Sequence, residues 1–352
     1  MKKLTVGILF GGVSTEYEVS LSSASSVIQH INRDQYDVVM IGITRQGRWF
    51  RYSGDVEAIK EDCWSDHSGC IPAQLSLDRS MKGLIELVNT EYRFTSLDVV
   101  FPVMHGINGE DGTIQGLLQL ANIPFIGCDL ISSAMCMDKP LSKILAKEAG
   151  IHVPPFFIAT KEVLDVDIIL EAERLDYPLY IKPARSGSSI GISKAYNRDE
   201  LVAGLNEAWE HDNKIIIESH VEGIELGCAV LGNRDLTIGL IDEISLSGEF
   251  FDNTEKYTLS SSTIHMPARI SPEKEKEAKE IALCIYRLFG CNGLARIDLF
   301  LTPDGTLLFN EVNTLPGFTE TSRYPNMMRG AGIGFTELLD RLIQTSLERE
   351  GI

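Results

Sequence analysis

Leu4 to Phe10 is a continuous apolar run of strand length. Gly11-Gly12 interrupts it, and apolar positions then recur at helical spacing from Val19 to Asn32 before a second run at Tyr36 to Thr44. That strand, helix, strand order predicts a parallel sheet covered by helices. Residues 51 to 95 carry weaker periodicity and read as a variable surface region. Leu97 to Met104 is another buried strand, ending in His105-Gly-Ile-Asn-Gly-Glu-Asp-Gly112 ahead of a helix at Thr113 to Ala121. Open α/β sheets form their active sites at such carboxyl ends. A second unit begins near Ile126, with a helix around Lys139 to Ala149 and a break at Val153-Pro-Pro155. A third runs from about Lys214, with strands at Ile215 to Glu218 and Glu225 to Leu231, a long loop near 247 to 265, a helix at Pro272 to Phe289, a hairpin and a final helix. The expected architecture is multidomain, α/β and α+β, over residues 1–126, 127–215 and 216–352.

The late hairpin sets charge into strands. Ala295, Ile297, Leu299 and Leu301 alternate with Arg296 and Asp298, so the apolar set faces a core and the charged set the other side. Thr302-Pro303-Asp304-Gly305 is turn chemistry. A loop of two or four residues centred there puts Arg296 opposite Glu311 and Asp298 opposite Phe309, with Asn313 two further along the same face. Carboxylate and amide oxygens suit a hard cation such as Mg²⁺, held together with substrate phosphates. A structural salt bridge on a solvent face reads from the same residues.

The 352 residues are 44% apolar and 23% charged, ordinary for a folded enzyme of two or three domains. A net charge of -18 disfavours nucleic acid and anionic lipid as partners, so any bound phosphate must meet local lysines, arginines, metal or backbone donors. Seven scattered cysteines without a C-x-x-C suit reduced thiols in a cytoplasm. Cys63, His67 and Cys70 lack a fourth ligand at finger-like spacing. The basic, apolar start resembles a signal peptide, but Gly11-Gly12, Glu16 and Glu18 break it, and no apolar run approaches the ~20 residues of a membrane span.

Gly11 to Ser20 stands at a strand-to-helix turn, where bare N–H groups favour anions and Glu16 is placed to hold an ammonium, or is only a first-turn carboxylate. Lys182-Pro-Ala-Arg-Ser-Gly-Ser-Ser-Ile-Gly191 joins a lysine to a loop of small residues whose N–H groups can approach phosphoryl oxygens. It lacks the ending of a Walker A loop. A mobile hairpin tip is the plainer reading. Taken in order, the Gly-rich turn, the lysine-led loop and the acidic hairpin resemble the ATP-grasp ligases. Gly11 to Leu21, His105-Gly106 with Gly109 to Gly112, Met137-Asp-Lys139, Lys182 to Gly191, Glu255-Lys-Tyr257, Arg296-Ile-Asp298 and Glu311 to Thr314 with Pro316-Gly317 are similar to the D-alanine:D-alanine ligase family. Only residues 51 to 95 fall outside the resemblance.

The resemblance implies an ATP-grasp fold behind a Rossmann-like parallel α/β domain that binds the first D-alanine. It places Lys139, Lys182, Ser189 and Lys256 with ATP, Glu218 and Glu225 at the adenine region and ribose, and Asp298, Glu311 and Asn313 on two Mg²⁺ ions, with Mn²⁺ as an alternative. Glu16 would bind the first ammonium with His105 nearby, Ser188 would link Glu16 to Tyr257 on a closing loop, and Arg296 with the Gly317 N–H would stabilise the tetrahedral oxyanion. A cytoplasmic homodimer is implied in the same way.

The second-substrate region departs from the housekeeping pattern. Ser322, the family's contact to the incoming carboxylate, is kept, but an apolar neighbour has become Arg323. That change is similar to the vancomycin-resistance D-alanine:D-serine ligases of VanG type, and the intact Lys256-Tyr257 separates it from the D-lactate type. The expected product is D-alanyl-D-serine. The alternatives are a D-alanine:D-alanine ligase, then a D-alanine:D-lactate ligase, and last a non-catalytic nucleotide-binding regulator.

Overall fold

The computed structural model describes residues 2–163, 165–246, 262–349 and 351. The first apolar run is β1 (Leu4–Gly11), followed by α1 (Tyr17–His30) and β2 (Tyr36–Ile43). Residues 51 to 95, read above as a variable surface region, contain regular elements. With β3 (Trp49–Tyr52), α2 (Val56–Lys60), β4 (Cys70–Leu75), β5 (Gly83–Val88) and β6 (Glu91–Ser96) they extend the first sheet by antiparallel pairing. Within this segment Cys70 Sγ donates to the Trp64 carbonyl and His67 Nδ1 accepts the Gly69 N–H, so both serve the local backbone. β7 (Val99–Pro102) pairs in parallel with β1, and among the described residues the sheet order is β6-β5-β4-β3-β2-β1-β7.

From Val6 onward β1 is without polar side chains because it is buried on both faces. Val6, Ile8 and Phe10 pack with Leu21 and Val27 of α1, whereas Leu9 faces Ile41 and Leu118 of α3 (Thr113–Leu120).

The second unit opens with α4 (Leu130–Met137) and α5 (Lys139–Glu148), whose start is fixed by the Asp138 side chain accepting the Leu141 N–H and by Pro140 in the first turn. β8 (Phe156–Thr160), α6 (Asp165–Ala172), β9 (Leu179–Pro183), β10 (Ser193–Ala195), α7 (Arg198–His211) and β11 (Lys214–Ser219) follow, and the sheet order is β10-β9-β11-β8. The expected boundary at residue 215 falls inside β11, which pairs with both β8 and β9, so this unit runs on to Ser219.

The third unit comprises β12 (Ile224–Leu231), β13 (Thr237–Leu246), β14 (Ser262–His265), α8 (Pro272–Leu288), β15 (Leu294–Leu301), β16 (Leu307–Asn313), α9 (Arg323–Gly330) and α10 (Phe335–Arg349), with sheet order β14-β13-β12-β15-β16. The end of the expected 247–265 loop is therefore strand β14, paired with β13. α8 covers one face through Ala278, Ala282 and Ile285. Leu338 and Leu342 of α10 share the core of Val6, Ile8 and Phe101, so the chain's last helix completes the first sheet's packing.

The β15–β16 register differs from the expected one. Arg296 lies opposite Asn313 and Asp298 opposite Glu311, whereas Leu299 lies opposite Phe309. The hairpin closes through Pro303-Asp304-Gly305, with Thr302 N–H donating to Thr306 O and Gly305 at φ 86, and Asn310 is an unpaired bulge residue. Without the bulge, Asp298 would face Asn310 and Glu311 would point into the core. One extra residue restarts the alternation, so that Phe309 and Val312 stay buried while Glu311 and Asn313 join Asp298.

Candidate active site

The three units enclose a cleft of about 1240 Å³. Glu16, His105, Lys139, Lys182, Ser188, Ser189, Glu218, Glu225, Arg296, Asp298, Glu311, Asn313, Gly317, Ser322 and Arg323 all line it. Lys256 and Tyr257 lie outside the described residues.

One wall is cationic. Lys182 on β9 meets Glu218 on β11 at 2.6 Å, and Lys143 on α5 approaches the other Glu218 oxygen at 3.0 Å. Burial alone would push the Glu218 carboxyl up, but the two ammonium groups outweigh it and hold it well below the usual carboxylate range. The trio leaves one positive charge in excess, directed at the cleft by Lys182. Lys143 was not singled out in the sequence. It lies four residues, one helical turn, after Lys139, and that spacing on one face was the available signal.

The loop after β9 folds over this wall. Lys139 Nζ donates to the Ser186 carbonyl at 2.6 Å, and Ser186 Oγ donates to the Ile190 carbonyl at 3.0 Å. Ser188 and Ser189 hold φ of 48° and 58°, a left-handed pair of non-glycine residues that small polar side chains tolerate. Gly187 lies directly against Glu16, since a Cβ there would stand 3.2 Å from Glu16 Oε2. Glu16 itself, at the start of α1, is 8% exposed. The loop and the first-domain turn thus meet at Gly187 and Glu16.

The opposite wall is the acidic hairpin. Arg296 donates through Nε and an Nη to Asp298 at 2.9 and 2.8 Å, and Asn313 Nδ2 donates to Asp298 at 3.0 Å. Arg323, at the first position of α9, forks onto Asp242 of β13 with two contacts of 2.8 Å and reaches Glu225 of β12 at 3.2 Å. Burial disfavours the Arg323 charge, but Asp242, Asp298 and Glu225 outweigh it and hold the guanidinium firmly protonated. The fork fits because residue 227 is glycine: a Cβ there would come within 2.4 Å of both Arg323 Nη2 and Asp242 Oδ1. Asp242 was also missed in the sequence, although Asp242-Glu243 inside the apolar run of β13 was the clue.

His105 lines the cleft, but both of its ring nitrogens are engaged by the protein. Nδ1 contacts the Leu315 carbonyl at 2.8 Å and Nε2 the Ser23 hydroxyl at 3.1 Å. Burial pushes its pKa down to about 4, so the ring is neutral at physiological pH. Among the described residues no helix is long and apolar enough to cross a membrane.

Comparison with known proteins gives this geometry its context. The model of the D-ala D-ala ligase N-terminus matches residues 5–128 and that of the C-terminus residues 145–344. The D-alanine–D-alanine ligase of Caldicellulosiruptor bescii is 44% identical, covering 99% of this chain and 96% of that protein. The vancomycin B-type resistance protein VanB of Enterococcus faecalis is also 44% identical, over 99% and 100%. Among solved structures, the VanG D-Ala:D-Ser ligase from Enterococcus faecalis aligns with a TM-score of 0.91 at 49% identity, over 98% of this chain and 100% of that one. Two family models match most of the chain and the relatives match it along nearly its whole length, so the chain belongs to the D-alanine:D-alanine ligase family of ATP-grasp enzymes, ATP-dependent ligases of D-amino acids.

Proposed function

We propose that this protein joins D-alanine to D-serine, consuming ATP and releasing ADP and phosphate, and so makes a peptidoglycan precursor terminus that vancomycin binds weakly. Overall identity does not select the second substrate, because ligases named for D-alanine and for vancomycin resistance stand at the same 44%. The observation that carries the reading is Arg323, gripped by Asp242 and Glu225 at the cleft wall beside Ser322. A buried charged pair offers both donors and acceptors to a substrate hydroxyl, and an analogue without that hydroxyl leaves them poorly satisfied. Likeness to the VanG enzyme supports the same choice.

In this reading the first D-alanine lies with its ammonium at Glu16, and its carboxylate attacks the γ-phosphorus of ATP. Lys139 and Lys182 neutralise phosphoryl oxygens, with Ser189 in the loop above them and Glu218 and Glu225 toward the nucleoside. The acyl phosphate formed is then attacked by the D-serine amine. Arg296 and the Gly317 N–H face the developing oxyanion, and phosphate leaves. At the start of α9 the Arg323 N–H and the Ser322 hydroxyl meet the D-serine carboxylate, since the Ser322 N–H is taken by the Thr319 carbonyl. Asp298, Glu311 and Asn313 fit Mg²⁺: two carboxylates on directly opposed positions and an amide share one face, hard oxygen donors of the kind that ion takes. Bound there, Mg²⁺ would supply charge neutralisation for the triphosphate.

Purified protein given ATP, Mg²⁺ and D-alanine, with D-alanine, D-serine or D-lactate as competing second substrates, should yield mainly D-alanyl-D-serine at neutral pH. Mainly D-alanyl-D-alanine would overturn the serine assignment. Lys143→Met removes one of the two ammonium groups around Glu218 and cancels the excess charge of the wall. It is expected to raise the KM for ATP by about tenfold, equivalent to about 1.4 kcal/mol of lost attraction, and an unchanged KM would remove Lys143 from the phosphate field.

A further inference from the structure

The mechanism above uses the segment from Asn313 to Gly317 at both ends, as a metal ligand and as an oxyanion donor, yet its middle belongs to no regular element. Two side chains from the loop after β7 seize that middle. His105 Nδ1 faces the Leu315 carbonyl at 2.8 Å, and a carboxyl oxygen of Glu110 accepts the Leu315 N–H at 3.1 Å. A carbonyl can only accept, so Nδ1 carries the hydrogen. Nε2 of the neutral ring then accepts from the Ser23 hydroxyl, whose oxygen in turn accepts the Phe318 N–H at 3.1 Å. The second Glu110 oxygen accepts the Gly106 N–H at 2.9 Å, which locks the clamp to its own loop. The same loop holds the Glu16 turn, because Ser14 Oγ donates to the His105 carbonyl at 2.8 Å and accepts the Glu16 N–H at 3.1 Å.

We propose that His105 and Glu110 are positioning residues that grip the Leu315 peptide from both ends, and so fix Asn313 and Gly317 relative to Glu16. The inference rests on the ligase reading above and deepens it. It explains why His105 lies at the cleft with neither nitrogen given to it: the side chain acts through Leu315. It also gives a task to a second carboxyl set beside Glu16, one that burial and then the Glu16 charge push up to about 8, so that it is largely protonated at neutral pH. Both oxygens accept backbone N–H groups, a task an amide side chain performs only by half.

Two near-isosteric replacements separate this role from others. An asparagine at 105 carries its amide nitrogen near the Nδ1 position and can still donate to Leu315, whereas a glutamine reaches toward the Nε2 position and Ser23. His105→Asn should keep kcat within about tenfold of the parent, and His105→Gln should lose about 100-fold, the effect of an ångström-scale misplacement near the chemistry. Glu110→Gln should also lower kcat by about tenfold or more. Equal kcat losses in the Asn and Gln variants, with equal falls in Tm, would make His105 a packing residue and overturn the proposal. A raised KM for the first D-alanine with kcat preserved would assign His105 to substrate instead and overturn it as well. A parent enzyme that forms no ADP with D-alanine and any second D-amino acid would defeat the ligase reading itself, a result distinct from either.

Discussion

Asp298→Asn is expected to lower kcat/KM for ligation by about 10³-fold or more, a loss of about 4 kcal/mol in transition-state stabilisation. The size follows from how many roles meet at one carboxylate. Asp298 is 1% exposed, receives Arg296 and Asn313, faces Glu311 across the hairpin, and lies 3.7 Å from Arg323. An asparagine of the same shape still fills the space, so packing changes little. It removes the charge that aligns Arg296, however, and Arg323 already disfavours the Arg296 cation. It also takes away one of the two carboxylates that suit a dication, which matters most where charge develops on phosphoryl and acyl oxygens. Coupled measurement of ADP release, with a thermal melt to confirm folding, checks this. Activity within tenfold of the parent in a folded variant would exclude Asp298 from the reacting centre.

Asp298 also shows which parts of the site were legible in the sequence. Alternation alone assigns Arg296 and Asp298 to one face, because strand side chains have a period of two. Turn chemistry identifies a hairpin, but loop length and a bulge decide register, and neither has a strong local signature here. Both deviations were needed to bring Glu311 opposite Asp298. The expected pairing of Asp298 with Phe309 carried its own warning, since Phe309 is fully buried on the core face. The run Leu4 to Phe10 was readable for the opposite reason: a strand covered on both sides needs no alternation, only length. Residues 51 to 95 hid their strands because β6 is exposed along most of its length and β4 on alternate positions, which leaves only a weak periodicity to read.

Long-range polar partners were the least legible. Nothing near Lys143 in sequence indicates Glu218, and nothing near Arg323 indicates Asp242, 81 residues away. Each pairing arises only when a helix packs beside a strand far from it in sequence, α5 beside β11 for Lys143 and α9 beside β13 for Arg323. A buried ion pair is weak evidence for stability, because desolvation offsets much of its Coulomb gain. Breaking one is another matter, and that asymmetry makes the Arg323 pair informative about specificity.

Arg323→Leu is expected to shift the product ratio from D-alanyl-D-serine toward D-alanyl-D-alanine by about 10- to 100-fold, the range that one lost hydroxyl contact of 1–3 kcal/mol supplies. The single variant also leaves Asp242, whose side chain is 0% exposed, with the Gly227 N–H at 3.0 Å as its remaining hydrogen bond among those described. Removing one partner of such a pair costs about 3–5 kcal/mol in stability. Arg323→Leu should therefore melt lower, and its activity must be read as a ratio of products rather than as a rate. Combining it with Asp242→Asn removes the stranded charge while keeping an acceptor for Gly227. The double variant should recover stability and retain the altered ratio. Asp242→Asn alone should shift the ratio in the same direction, because the guanidinium loses its fork and keeps only the single contact to Glu225 and the more distant Asp298. The double variant should then shift it by less than the sum of the two singles, as residues acting as one unit do. A ratio unmoved by all three variants would show that the hydroxyl is not read by this pair, and the choice of D-serine would lose its physical basis.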